Sequence, residues 1–147
     1  MDGVNLSIKA GSPLSFCKIQ GEKISSESEH HARGCLSQVR ESIQFLTSHG
    51  KLSEIRIVIG DGLNNTETEM SEIVEFLQSC GLMDTLDVMP HPPPVIQICQ
   101  FRSIGVSPPY CDTIRSPSLE TLHHWKDYFS LRLPGVYVSV QTHQGTE

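Results

Sequence analysis

Residues 41–57, ESIQFLTSHGKLSEIRI, and residues 72–88, EIVEFLQSCGLMDTLDV, write one pattern twice. Glu41 falls on Glu72, Phe45 on Phe76, Leu46 on Leu77, Ser48 on Ser79 and Gly50 on Gly81, while Ile55 and Ile57 fall on Leu86 and Val88. Each copy reads as an apolar-striped helix end, a glycine stop and a short apolar strand. Self-similarity of this kind marks one supersecondary unit used more than once. Successive helix and strand units predict neighbouring parallel strands joined by crossovers. The expected fold is α/β: consecutive helix-strand units forming a mainly parallel or mixed sheet flanked by helices, a single small domain over 1–142.

Upstream of the repeat, Ser26 and Glu29 have capping-box spacing and should open the first helix. Its stripe is Ala32, Cys35, Leu36, Val39, Ile43 and Leu46, and Gly50 ends it. Val4 to Lys9 alternates apolar and polar, and Leu14 to Ile19 is a second apolar run after Gly11-Ser-Pro13, which predicts two strands joined by a turn. Ile55 to Ile59 is apolar except for Arg56 and reads as a strand buried on both faces. Thr66 and Glu69 repeat the capping spacing before the stripe Met70, Ile73, Val74, Leu77 and Cys80. Residues 89–118 form a proline-rich loop region interrupted by a strand at Val95 to Phe101. A last helix from Leu119 to Ser130 and a strand from Val136 to Val140 follow, and residues 143–147 are expected to be a disordered tail.

A chain of 147 residues can bury a core without metal or disulfide help. Its net charge of -6 and 11 scattered Lys and Arg argue against a nucleic-acid partner, because phosphate binding runs on clustered cations. No apolar run approaches the roughly 20 residues that span a bilayer, and the first residues carry no signal-peptide pattern. A soluble protein of the cytoplasm or nucleus, with no membrane partner, is expected. The odd set Cys17, Cys35, Cys80, Cys99 and Cys111 suits reduced thiols there.

Leu52, Ile55 and Ile57, then Met83, Leu86 and Val88, occupy the first three apolar positions of the pattern L-x-x-L-x-L-x-x-N/C-x-L, and Leu14, Cys17 and Ile19 form a degenerate third set. Residues 41–90 therefore resemble helix-containing leucine-rich repeats, with Gly60 and His91 standing where Asn or Cys would fall. The resemblance implies a curved solenoid that binds proteins.

Four groups of residues bear on chemistry or binding. Gly60, Asp61, Gly62, Asn64, Asn65 and Thr66 lie between a strand and a capped helix, where open α/β sheets place ligands, and could form an anion or phosphate site. The plainer reading is a tight turn, since neither a dinucleotide nor a Walker pattern is present. His31 and Cys35 have the spacing of half a zinc site, but no second matched pair completes it, so no metal and no cofactor is assigned. His124 and Asp127 share a helix face without a nucleophile elbow, and no catalytic residue is assigned. Pro90, His91, Pro92, Pro93 and Pro94, with the Ser-Pro sites at Ser107 and Ser116, fit a docking or phosphorylation region. The expected role is non-enzymatic: an adaptor, regulator or accessory protein that binds another protein. The alternative is a small enzyme or ligand-binding protein using residues 60–66.

Overall fold

The computed structural model describes residues 3–82, 94–102, 114–142 and 145–146. Along them run β1 (Val4–Ser7), α1 (Pro13–Gln20), α2 (Ser26–Ser48), β2 (Leu52–Ile59), α3 (Glu67–Ser79), β3 (Val95–Gln100), α4 (Leu119–Arg132), β4 (Val138–Thr142) and β5 (Gly145–Thr146). The strands form one sheet in sequence order, β1-β2-β3-β4-β5. Its first three pairings are parallel and its last is antiparallel. This is the α/β architecture that the helix-strand alternation predicts.

The core lies on one side of the sheet. Ile55, Ile57 and Ile59 of β2, Ile96 and Ile98 of β3, and Val138 and Val140 of β4 all point there and are buried. They meet Ile43 of α2, Met70, Ile73 and Leu77 of α3, and Leu122, Trp125 and Phe129 of α4 in one cluster. Burying each such side chain is favourable by about 1.5–3 kcal/mol, so this face dominates the stability. Because side chains alternate along a strand, the residues between them face away. In β2 those are Glu54 and Arg56, half-buried, and Val58, exposed. β2 is thus buried on one face, not on both as its apolar composition suggests. Its alternation breaks at Ser53, a bulge residue skipped where Val4 pairs with Leu52 and Asn5 with Glu54.

Two local readings are corrected. Leu14 to Ile19 is helix α1, not a strand. Ser12 caps it by accepting from the Ser15 N–H at 3.3 Å, and Pro13 sits in the first turn, where a missing N–H costs nothing. Gly21, with φ 74°, closes it. The glycine, serine and proline that resemble a β-turn are a helix start, so Leu14, Cys17 and Ile19 are not a third strand of the repeat pattern. The second helix opens one residue earlier than Ser26. Ser25 and Ser28 exchange the two capping bonds, at 3.1 and 2.8 Å, while Glu29 pairs with Arg33 at 2.8 Å.

β2 begins at Leu52, three residues before the expected Ile55, and the remaining boundaries agree to within two residues. Gly50 and Gly81, at φ 67° and 75°, follow the ends of α2 and α3. The strand expected over 86–88 lies outside the described residues, and β3 is the parallel neighbour of β2 on the side away from β1. Where a disordered tail is expected, Gly145 and Thr146 pair back onto Thr142 and Gln141. No helix among the described residues is long and apolar enough to cross a membrane.

Candidate functional site

The six loop residues singled out after β2 do come together, bonded to one another and to the elements around them. Asn64, 2% exposed, accepts from the Gly60 N–H at 3.0 Å and donates to the Val58 carbonyl at 2.8 Å, closing the loop on itself. Asn65 donates to Asp61 at 2.6 Å and accepts from the Trp125 indole at 2.7 Å, which ties the loop to α4. Asp61 forms a backbone bridge with Arg115. Thr66 caps α3 by accepting from the Glu69 N–H at 3.3 Å. The glycines have structural causes: a Cβ on Gly60 would sit 2.8 Å from Ile114 Cγ2, and Gly62 has φ 86°. Glu67 and Glu69 occupy the first turn of α3 and present negative charge where a phosphate would approach. Glu69 is itself held by Lys18 at 3.0 Å.

Of the proline-region candidates, Pro90, His91, Pro92, Pro93 and Ser107 lie outside the described residues. Pro94 is buried beside the start of β3. Ser116 is exposed, and its hydroxyl donates to the Phe101 carbonyl. His31 and Cys35 approach to 3.5 Å, but no group of three His, Cys, Asp or Glu side chains able to hold a metal forms among the described residues.

Two features escape a reading of motifs. The first is the free edge of the sheet. Val4 donates to Lys51 at 2.7 Å and Ile8 to Arg56 at 2.9 Å, so the alternate N–H groups of β1 and its continuation, at Asn5, Ser7 and Lys9, point away from β2. They meet no partner among the described residues. Between this edge, α1 and α2 lies a groove of about 340 Å³ lined by Leu6, Phe16, Leu36 and Val39, with Gln38 and Ser42 on its rim. Gln38 and Ser42 also line the next depression along α2, beside Phe45 and Leu46, so the two are continuous. Phe45 is 62% exposed. Val39 and Leu46 belong to a stripe that reads as core; the signal that could separate them is length, since α2 has 23 residues and β1 only four.

The second feature is the sheet face turned away from the described helices, where Ser7, Arg56, Gln97 and Ser139 stand in one cross-strand row. Cys99, on the same face, is held as a thiol: burial pushes it up, and the Arg56 guanidinium lowers it less than burial raises it.

No family model and no curated protein matches the chain. Solved structures do. A radical SAM methyltransferase from Sphaerobacter thermophilus superposes with a TM-score of 0.55 at 13% identity, over 97% of this chain and 34% of the methyltransferase. A domain of pyruvate-formate lyase-activating enzyme from Bacteroides vulgatus ATCC 8482 superposes with a TM-score of 0.55 at 15% identity, over 95% of this chain and 66% of that domain. The chain thus spans about a third of the first structure and 66% of the second. At such identities the likeness is one of fold, an α/β arrangement with a parallel sheet.

Proposed function

We propose that the chain is a non-enzymatic protein-interaction module, an adaptor or regulatory accessory factor, which takes an extended segment of a partner protein along the free edge of β1. The observation that carries this reading is the row of outward N–H groups at Asn5, Ser7 and Lys9 beside an apolar groove. An unpaired edge is a template for strand addition, with backbone bonds giving register and flanking pockets giving specificity. Each added bond contributes only about 1 kcal/mol net, so the apolar surface of Val39 and Phe45 must supply much of the affinity.

The likeness to the methyltransferase, at 13% identity, is one of fold and does not bring its chemistry with it. Radical chemistry of that class draws on SAM and iron–sulfur groups, and such clusters are held by cysteine thiolates. Here Cys17 lies in α1, Cys35 in α2, Cys80 at the end of α3 and Cys99 in β3, and the described residues gather no three donors. The described donor set does not fit a cluster, and no step is routed through one.

Ser7→Pro tests the edge, because it deletes an outward donor without taking a bond from the β1–β2 ladder. Captured partners should be lost by Ser7→Pro and by Phe45→Ser, with the melting temperature nearly unchanged, and kept when residues 90–94 are deleted. Partners that survive both substitutions and disappear with the deletion would move the interaction to the proline region.

A further inference from the structure

We propose that the sheet face turned away from the described helices binds a small ligand carrying a carboxylate next to an N–H or O–H donor, with Arg56 taking the carboxylate and Gln97 the donor. Parallel strands are ordinarily covered on both faces and apolar on both. Here the second face is polar along one row: Ser7, Arg56, Gln97 and Ser139 are direct neighbours on β1, β2, β3 and β4. A purely structural face at this position would hold Val or Ile, as the opposite face does at Ile55, Ile57, Ile96 and Ile98.

Gln97 is 5% exposed, and its Oε1 has no hydrogen-bond partner among the described residues. Buried side-chain acceptors are nearly always satisfied, and an unsatisfied one weakens the fold unless something outside the chain completes it. Arg56 stands next to it in register. Glu54 grips Arg56 through Nε at 2.8 Å, which fixes the guanidinium and leaves its terminal nitrogens without a bond among the described residues. A guanidinium fork matches a carboxylate with two parallel bonds.

The charge count narrows the ligand. Glu54 already offsets Arg56, and the Arg56 side chain is 41% exposed, so a monoanion suits the site better than a dianionic phosphate. Neighbouring strands lie about 4.8 Å apart, which sets a guanidinium and an amide side by side to read groups one or two bonds apart. Hydroxy acids and amino acids have that arrangement. This site is separate from the β1 edge, and neither reading depends on the other.

Titration of the full chain, labelled with 15N, tests it with three probes: glycolate, which has both groups, acetate, which has the carboxylate alone, and inorganic phosphate. Glycolate should shift the Gln97 side-chain amide and bind at least about fivefold more tightly than acetate or phosphate, since a lost hydrogen bond is worth about that factor. Arg56→Lys, which keeps the charge and loses the fork, should weaken glycolate at least as much. Gln97→Leu should erase the preference for glycolate over acetate and raise the melting temperature by about 2–8 °C, because it removes the orphaned acceptor. A ligand site weakens the fold in this way, and a structural glutamine does not. No shift at Gln97, equal response to the three probes, or a fall in melting temperature on Gln97→Leu would each overturn the proposal.

Discussion

Asn64 holds its loop by both ends of one amide, and that makes it the residue on which the turn after β2 depends. Asn64→Ala leaves the Gly60 N–H and the Val58 carbonyl without their buried partner. Unsatisfied buried groups cost about 1–3 kcal/mol each, so urea denaturation should show a loss of about 2–4 kcal/mol. Asn64→Asp keeps the acceptor and loses the donor, and should fall between. The glycines separate in the same experiment. A Cβ on Gly34, inside α2, meets nothing within 4 Å, so Gly34→Ala should stabilise by about 0.5–1 kcal/mol. A Cβ on Gly11 would lie 2.1 Å from the Glu72 carbonyl oxygen, backbone against backbone, and Gly11→Ala should destabilise by about 3 kcal/mol or more. Gly11 reads as an ordinary turn glycine in the sequence, because the α3 backbone it touches, at Glu72, is 61 residues away in the chain.

Elements were legible where the signal is periodic or local. The stripes of α2 and α3, their glycine stops and the Thr66 cap all follow from spacing within one turn of helix. α1 was not legible: its eight residues are too few for a stripe to tell helix from strand, and Ser12 with Pro13 fits a turn as well as a helix start. Pairings across the fold leave no mark in a single sequence, and the indole bond from Trp125 to Asn65 is one. That bond joins α4 to the loop after β2 at 2.7 Å. Trp125→Phe keeps the core ring but removes the donor, leaving a half-buried amide oxygen unmet. The loss should be about 1 kcal/mol, and hydrogen exchange should quicken at residues 61–66 before it does in β2. Equal quickening in β2 would mean that the indole supports the whole core and not the loop.

For the whole molecule, the parallel sheet was readable because β2 and α3 carry their own boundaries, whereas its one-sidedness was hidden by composition. Arg56 stands alone in an apolar run, and only the register shows that Gln97 and Ser139 continue its row. The same distribution sets how stability responds to alkali. Burial pushes the Cys80 and Cys99 thiols up, against the smaller opposing pull of Arg40 on the first and Arg56 on the second. In the unfolded chain a thiol ionises near pH 8.5. Above that, the unfolded state releases protons that the folded state keeps, so each pH increment favours unfolding. The stability from this source is complete below about pH 8.5 and is lost as the pH climbs through the raised folded values. Urea midpoints at pH 7.0, 8.5 and 9.5 should therefore fall more steeply for the wild type than for Cys80→Ala with Cys99→Ala, and the two curves should run parallel below pH 8. Parallel curves up to pH 9.5 would mean that neither thiol is held neutral by the fold.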